Sequence, residues 1–194
     1  MGGTLNLTAE LERLIRDVIA RTPEFSHIVP ERLLVCVSSG RPSAGGSLAK
    51  IHPLRFEGGE KSVRRRRGRR AVTCTMPTII HQGEEILYVV YFLIPRFLEL
   101  PLREKLITIF HELYHISPAF DGDIRRFPGR NYAHGSSTKS YNHYMGQLSD
   151  VYLAQLPDRS LLSFLEGDMA ELRSRHRSIV ARRLQAPRIK VTPA

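Results

Sequence analysis

The chain has 194 residues, of which 42% are hydrophobic and 25% charged. That is the balance of a soluble globular protein able to bury a core within one domain. Lys and Arg number 29 against 19 Asp and Glu, a formal net charge of +10, which favours anionic partners and says nothing about the fold. Two cysteines, Cys36 and Cys74, exclude a disulfide framework and lack metal-site spacing. Each stands in an apolar, strand-like run, as a buried free thiol in a reducing, cytoplasmic setting would.

The N-terminal MGGTLNLTAELERL lacks the basic-then-apolar pattern of a signal peptide. Leu11, Leu14, Ile15, Val18 and Ile19 recur at helical spacing, which predicts a helix over 8–21 capped by Asn6 or Thr8. RLLVCVS (32–38) reads as a short buried strand, and residues 38–47 as a loop by composition. Residues 49–56 form a further strand, which Pro53 assigns to a sheet edge. KSVRRRRGRR (61–70) follows two glycines and precedes the strand-like VTCTM. The plainer reading of this basic loop (58–70) is a mobile, solvated hairpin loop. The sharper one is a contact to nucleic acid or another polyanion through Arg64, Arg65, Arg66, Arg67, Arg69 and Arg70. No aromatic residue interrupts the run, so base stacking is not indicated.

Residues 86–94 (ILYVVYFLI) form the strongest strand, far short of the ~20 residues that span a bilayer. No membrane partner is therefore expected. Pro101 suits a first helical turn, and Leu102, Leu106, Ile109, Phe110 and Leu113 make one apolar stripe ending near Ser117-Pro118. A long loop follows (118–135). A helix from about Ser137 then carries Tyr141, Tyr144, Met145, Leu148 and Tyr152 on one face, until Leu156-Pro157-Asp158 breaks it. Asp158 or Ser160 caps a last helix with Leu161, Leu162, Leu165, Met169 and Leu172. The expected organisation is one domain over 1–186 and a flexible tail at 187–194.

HELYH carries the chemistry. His111 and His115 lie four residues apart on a helix, so both imidazoles project from one face, off the apolar stripe and beside Thr108 and Glu104. That is the geometry two nitrogen ligands of Zn²⁺ need. Glu112 lies between them and is not required to hold a metal, but a zinc-activated water needs a general base. A catalytic zinc takes three protein ligands and keeps one open position. His134 in NYAHGS is the favoured third ligand, with Asp121 or Asp123 as alternatives and His143 last, as a surface residue. The acids of FDGD also suit a tight turn or partners that orient the imidazoles. Tyr114, Tyr132, Tyr141 and His143 are candidate oxyanion stabilisers, none singled out.

From HELYH through NYAHG and into KSYNHYMGQL the chain resembles the phage metallopeptidases of phage and bacterial genomes, over roughly residues 30–156. More distantly, HELYH, a loop, HG and a helix with Met145-x-x-Leu148 resemble the SprT-like zinc proteases. In those the histidine of the HG pair, here His134, is the third zinc ligand, and an aromatic follows HG more closely than Tyr141 does here. The resemblance implies an α+β, zincin-like fold: a small twisted sheet on the HExxH helix with further C-terminal helices. It also implies zinc peptidase activity on a protein or peptide substrate. Two other functions compete with it. One is a DNA- or polyanion-associated protein with a structural or vestigial zinc site. The other is a latent protease whose basic loop or C-terminal tail covers the cleft.

Overall fold

The N-terminal periodicity becomes α1 (Leu7–Arg21), preceded by a strand, β1 (Gly2–Asn6). Asn6 ends the strand and caps the helix, its side chain accepting from the Ala9 N–H. The stripe from Leu7 to Ile19 is buried. Then follow β2 (Leu33–Ser39), β3 (Ala49–Pro53), β4 (Ser62–Arg67), β5 (Arg70–Thr75), the small hairpin β6 (Ile80–His81) and β7 (Glu84–Glu85), and β8 (Tyr88–Ile94). The rest of the chain gives α2 (Leu102–Tyr114), α3 (Thr138–Gln155), α4 (Met169–Arg175), β9 (His176–Val180) and β10 (Lys190–Pro193). This computed structural model describes residues 2–39, 47–129, 132–135 and 137–194. Most of the loop read at 38–47 lies outside the described residues.

The central sheet runs β2-β8-β3, with β8 parallel to β2 and antiparallel to β3. β8 is covered on both sides, which is why its sequence is a continuous apolar run and not an alternating one. One face, with Val35, Val37, Val90 and Phe92, packs with α1, α2 and α3 into the main core. The other carries a small cluster of Leu34, Cys36, Leu54, Ile86, Val89 and Tyr91. Cys36 is buried there, which pushes its thiol up to about 11. β3 pairs only with β8 among the described residues, and Pro53 stands at its end, as an edge strand permits. The outer edge of β2 is met by the Arg182 carbonyl, which accepts from the Val37 N–H at 2.9 Å. The molecule is thus mixed α/β, with small sheets.

Three expectations change. The arginine-rich segment is a pair of strands and not a loop: β4 and β5 are antiparallel, with a turn only at Gly68-Arg69. Its arginines are exposed, so the strand can form without desolvating their charge. The single last helix is split into a short 3-10 segment (Arg159–Leu165) and α4. Gly167 adopts φ +83 and Asp168 forms a capping box with Glu171, so a new helix begins. The chain end is also ordered: β9 pairs parallel with β1, and β10 pairs antiparallel with β5 from Val72 to Thr75. A tail without apolar periodicity reads as frayed, but here strands distant in sequence supply its hydrogen bonds.

Lys105 locks α2 to the segment before α4. It is 1% exposed, and its ammonium donates to the carbonyls of Leu165 (2.7 Å) and Gly167 (2.5 Å). Lys105→Met would keep the apolar stem but leave two carbonyls without this donor. The expected loss is about 2–4 kcal/mol in urea denaturation; a change within ~0.5 kcal/mol would show that water satisfies them instead.

Candidate metal centre

The apolar stripe of α2 decides which way HELYH faces. Leu106, Ile109, Phe110 and Leu113 are essentially inaccessible to solvent, so the remaining face, with Glu104, Thr108, His111 and Glu112, borders an open cleft. That cleft has a volume of about 270 Å³ and is completed by Ser47, Leu48, Ala49, Ile107 and Asn142. α2 ends at Tyr114, and His115 caps it in helical conformation, so the two histidines still share one face.

The chain then doubles back on the helix end. Ile116 and Ile124 form an antiparallel bridge, and the His115 carbonyl accepts from the Arg125 N–H. The Arg125 side chain donates to the Tyr114 carbonyl at 2.8 Å and lies over the Tyr114 ring. Tyr88 of β8 pins this loop: its hydroxyl donates to the Asp123 carbonyl (2.8 Å) and accepts from the Gly122 N–H (2.9 Å). Gly122 has φ +89, and a Cβ there would lie 2.5 Å from the Arg55 side chain, so no other residue fits readily. Further on, Gly135 has φ +66 with the Phe127 ring 3.4 Å from where its Cβ would be. That turn brings His134 back over the helix.

The result is a cluster of three imidazoles. The Nε2 atoms of His115 and His134 lie 3.0 and 3.3 Å from Nε2 of His111, and ligand atoms of all three lie within 4.8 Å of one another. Two nitrogens 2.0–2.1 Å from a tetrahedral ion are about 3.4 Å apart, so the donor set and its spacing fit a metal of zinc's size. Nδ1 of His111 donates to Oδ1 of Asn142 at 2.6 Å, which leaves the lone pair on Nε2, facing the cluster. The Tyr141 ring stacks on His115, with centroids 5.2 Å apart at 25°, and its hydroxyl donates to the His111 carbonyl at 3.3 Å.

Electrostatics keep the ligand atoms available. Burial, together with the charges of His111, His134 and Arg125, lowers His115 to about 3. Burial also lowers His111, opposed by its bond to Asn142. Both are therefore neutral near pH 7, the form in which imidazole binds a metal. Glu112 is 7% exposed, and burial raises its carboxyl to about 7 against an opposing backbone hydrogen bond from Ile51. It is held back from full charge until something cationic arrives beside it.

Asp121 and Asp123 do not join the cluster. Asp123 is held by Arg126 through two contacts of 2.9 Å, and Asp121 accepts from the Asp123 N–H in a tight turn. His143 is exposed on α3. Tyr132 is half-exposed beneath the Arg126 guanidinium. Arg64, Arg65, Arg66, Arg67, Arg69 and Arg70 stand apart from the histidines in their own sheet. The sequence analysis missed Asn142 and named Tyr141 only among several candidates, without its stacking on His115. Nothing in KSYNHYM marks Asn142, since its pairing to His111 spans two helices.

Three histidines converging on a space of ionic size form a group with the donors and spacing of a metal site. The family model described as putative phage metallopeptidase matches residues 5–143, and the chain belongs to that family. Neither the curated proteins nor the solved structures give a match.

The burial of Glu112 predicts a pH effect on the metal-free protein. Its folded value, about 7 against an ordinary 4.5, means the folded state keeps the proton longer than the unfolded chain. The associated stability is present below about pH 4.5 and lost as pH rises through about 7. Glu112→Gln removes that loss, so the variant gains on wild type by up to about 3 kcal/mol between about pH 4 and about pH 8. Urea denaturation of both metal-free proteins at the two pH values measures it; parallel curves would mean that Glu112 is solvated.

Proposed function

We propose that this chain is a zinc-dependent peptidase with a zincin-like core, in which His111, His115 and His134 hold the ion and Glu112 is the general base. The observation that carries this is the convergence of three Nε2 atoms beside a buried carboxyl on the same helix. Zinc, when bound there, lowers the pKa of a water molecule and polarises a peptide carbonyl. Glu112 accepts the proton from that water and delivers it to the leaving amine nitrogen. Asn142 holds His111 in the tautomer that presents Nε2. The outer edge of β3 has no strand partner among the described residues; its Ile51 N–H holds Glu112 and its Ala49 end borders the cleft. Its remaining backbone groups there offer pairing to an extended peptide, so the substrate is a protein or peptide segment in β conformation. Two unpaired cysteines suit a reducing, cytoplasmic setting. No helix among the described residues is long and apolar enough to cross a membrane.

Metal content by mass spectrometry tests the site. Zinc near one equivalent is expected in wild type, Asp121→Ala and Glu112→Gln, and its loss in His134→Ala. Glu112→Gln should lower peptide hydrolysis at least ~10²-fold while keeping the ion. A protein that takes up no zinc on titration would end the peptidase reading.

Asn142 gives a separate test. Asn142→Ala should weaken zinc binding by roughly 10–100-fold in chelator competition, and Asn142→Asp, which still accepts from Nδ1, should restore most of it. Equal affinity in all three proteins would remove Asn142 from the site.

A further inference from the structure

The second feature that asks for a function is the sheet β4-β5-β10. Paired residues of antiparallel strands share a face, and the register sorts this sheet sharply. One face carries Arg64, Arg66 and Lys190 among the hydroxyls of Ser62, Thr73 and Thr75. The hydrogen bond between the Ser62 and Thr75 hydroxyls, 2.8 Å, reports the same arrangement. The opposite face carries Val63, Val72, Cys74, Val191 and Pro193 with Arg65, and toward the tip Arg67 and Arg70, so the two faces differ in their hydroxyl and apolar residues and both carry arginines. The three strands contain no acidic residue. None of the ion pairs among the described residues involves Arg64, Arg66 or Lys190.

Guanidinium and ammonium groups interleaved with hydroxyls are phosphate-binding chemistry. Arg64 and Arg66, two residues apart on one strand, are about 6.8 Å apart, twice the ~3.4 Å axial spacing of phosphates along one strand of a duplex. β10 pairs with β5 from Val72 to Thr75. The tip, with Arg67, Arg69 and Arg70 around the open turn at Gly68, is a two-stranded ribbon. Such a ribbon fits the ~12 Å major groove of B-form DNA but not the narrow groove of an RNA duplex. The strands carry no aromatic residue, so a single strand would find no stacking platform.

We propose that this sheet binds the phosphate backbone of duplex DNA without sequence preference, its hydroxyl-rich basic face on the phosphates and its arginine tip in the major groove. None of these residues belongs to the histidine cluster, so the proposal stands or falls apart from the peptidase reading.

Fluorescence polarisation of a labelled DNA duplex with the full chain, across a salt series, tests it. The logarithm of the binding constant should fall linearly with the logarithm of salt concentration. Arg64→Ala combined with Arg66→Ala should make that slope shallower by about 1.8, at about 0.9 per phosphate contact. Arg64→Lys with Arg66→Lys should keep the slope, and Arg65→Ala, on the apolar face, should change it less than Arg64→Ala. Should the double alanine variant melt below wild type, Arg64→Gln with Arg66→Gln takes its place. No binding at low salt overturns the proposal, and so does a slope indifferent to Arg64 and Arg66. Equal competition by single-stranded DNA of the same length, by duplex RNA or by poly-glutamate also overturns it.

Discussion

Burial of the apolar stripe of α2 between the central sheet and α3 is the constraint on which the site depends. With Leu106, Ile109, Phe110 and Leu113 inside, the helix cannot rotate about its axis without exposing them. The loss would be on the order of 1.5–3 kcal/mol for each such side chain brought into water. His111 and His115 are thereby aimed at the cleft by residues that never touch it. The same packing sinks Glu112 into the wall of the cleft beside β3, where its proton affinity rises. The helix is held along its length as well, by Lys105 reaching across to the segment before α4. Orientation and chemistry therefore share one cause.

What the helix cannot supply is the third imidazole. That comes from a loop whose path is set by contacts to other elements: the Tyr88 hydroxyl of β8, the Ile116–Ile124 bridge and the Arg125 guanidinium on the Tyr114 carbonyl. Each satisfies backbone groups that would otherwise need water, so the loop is ordered by polar accounting more than by apolar burial. The aromatic wall of Tyr114, Phe127 and Tyr141 then encloses the histidines. Burial keeps His111 and His115 neutral, the form in which imidazole binds a cation.

Elsewhere the legibility of the sequence follows the range of the contacts. α1, β2, β8, α2 and α3 declare themselves because a buried stripe or run repeats within a dozen residues. β1, β9 and β10 do not: each is short, polar and stabilised by a partner far along the chain. The basic segment is instructive for a different reason. Consecutive arginines mask the period-two pattern of β4, since both faces carry a charge. Only the register against β5 shows that between the arginines one face carries hydroxyls and the other apolar side chains.

By itself the sequence determined that a helix would present two histidines and a glutamate to one side, because i to i+4 spacing and an apolar stripe are properties of that helix alone. It also bounded the partner that HELYH can want, since two imidazoles on one helix face suit a metal ion. Tertiary structure decided which of the residues further along stands with them. His134 does, while Asp123 is turned to Arg126 and Asp121 closes a turn. It also chose Asn142 to hold His111. These choices depend on where a loop and a second helix come to rest, and that is set by contacts between segments distant in the chain, which local spacing does not encode.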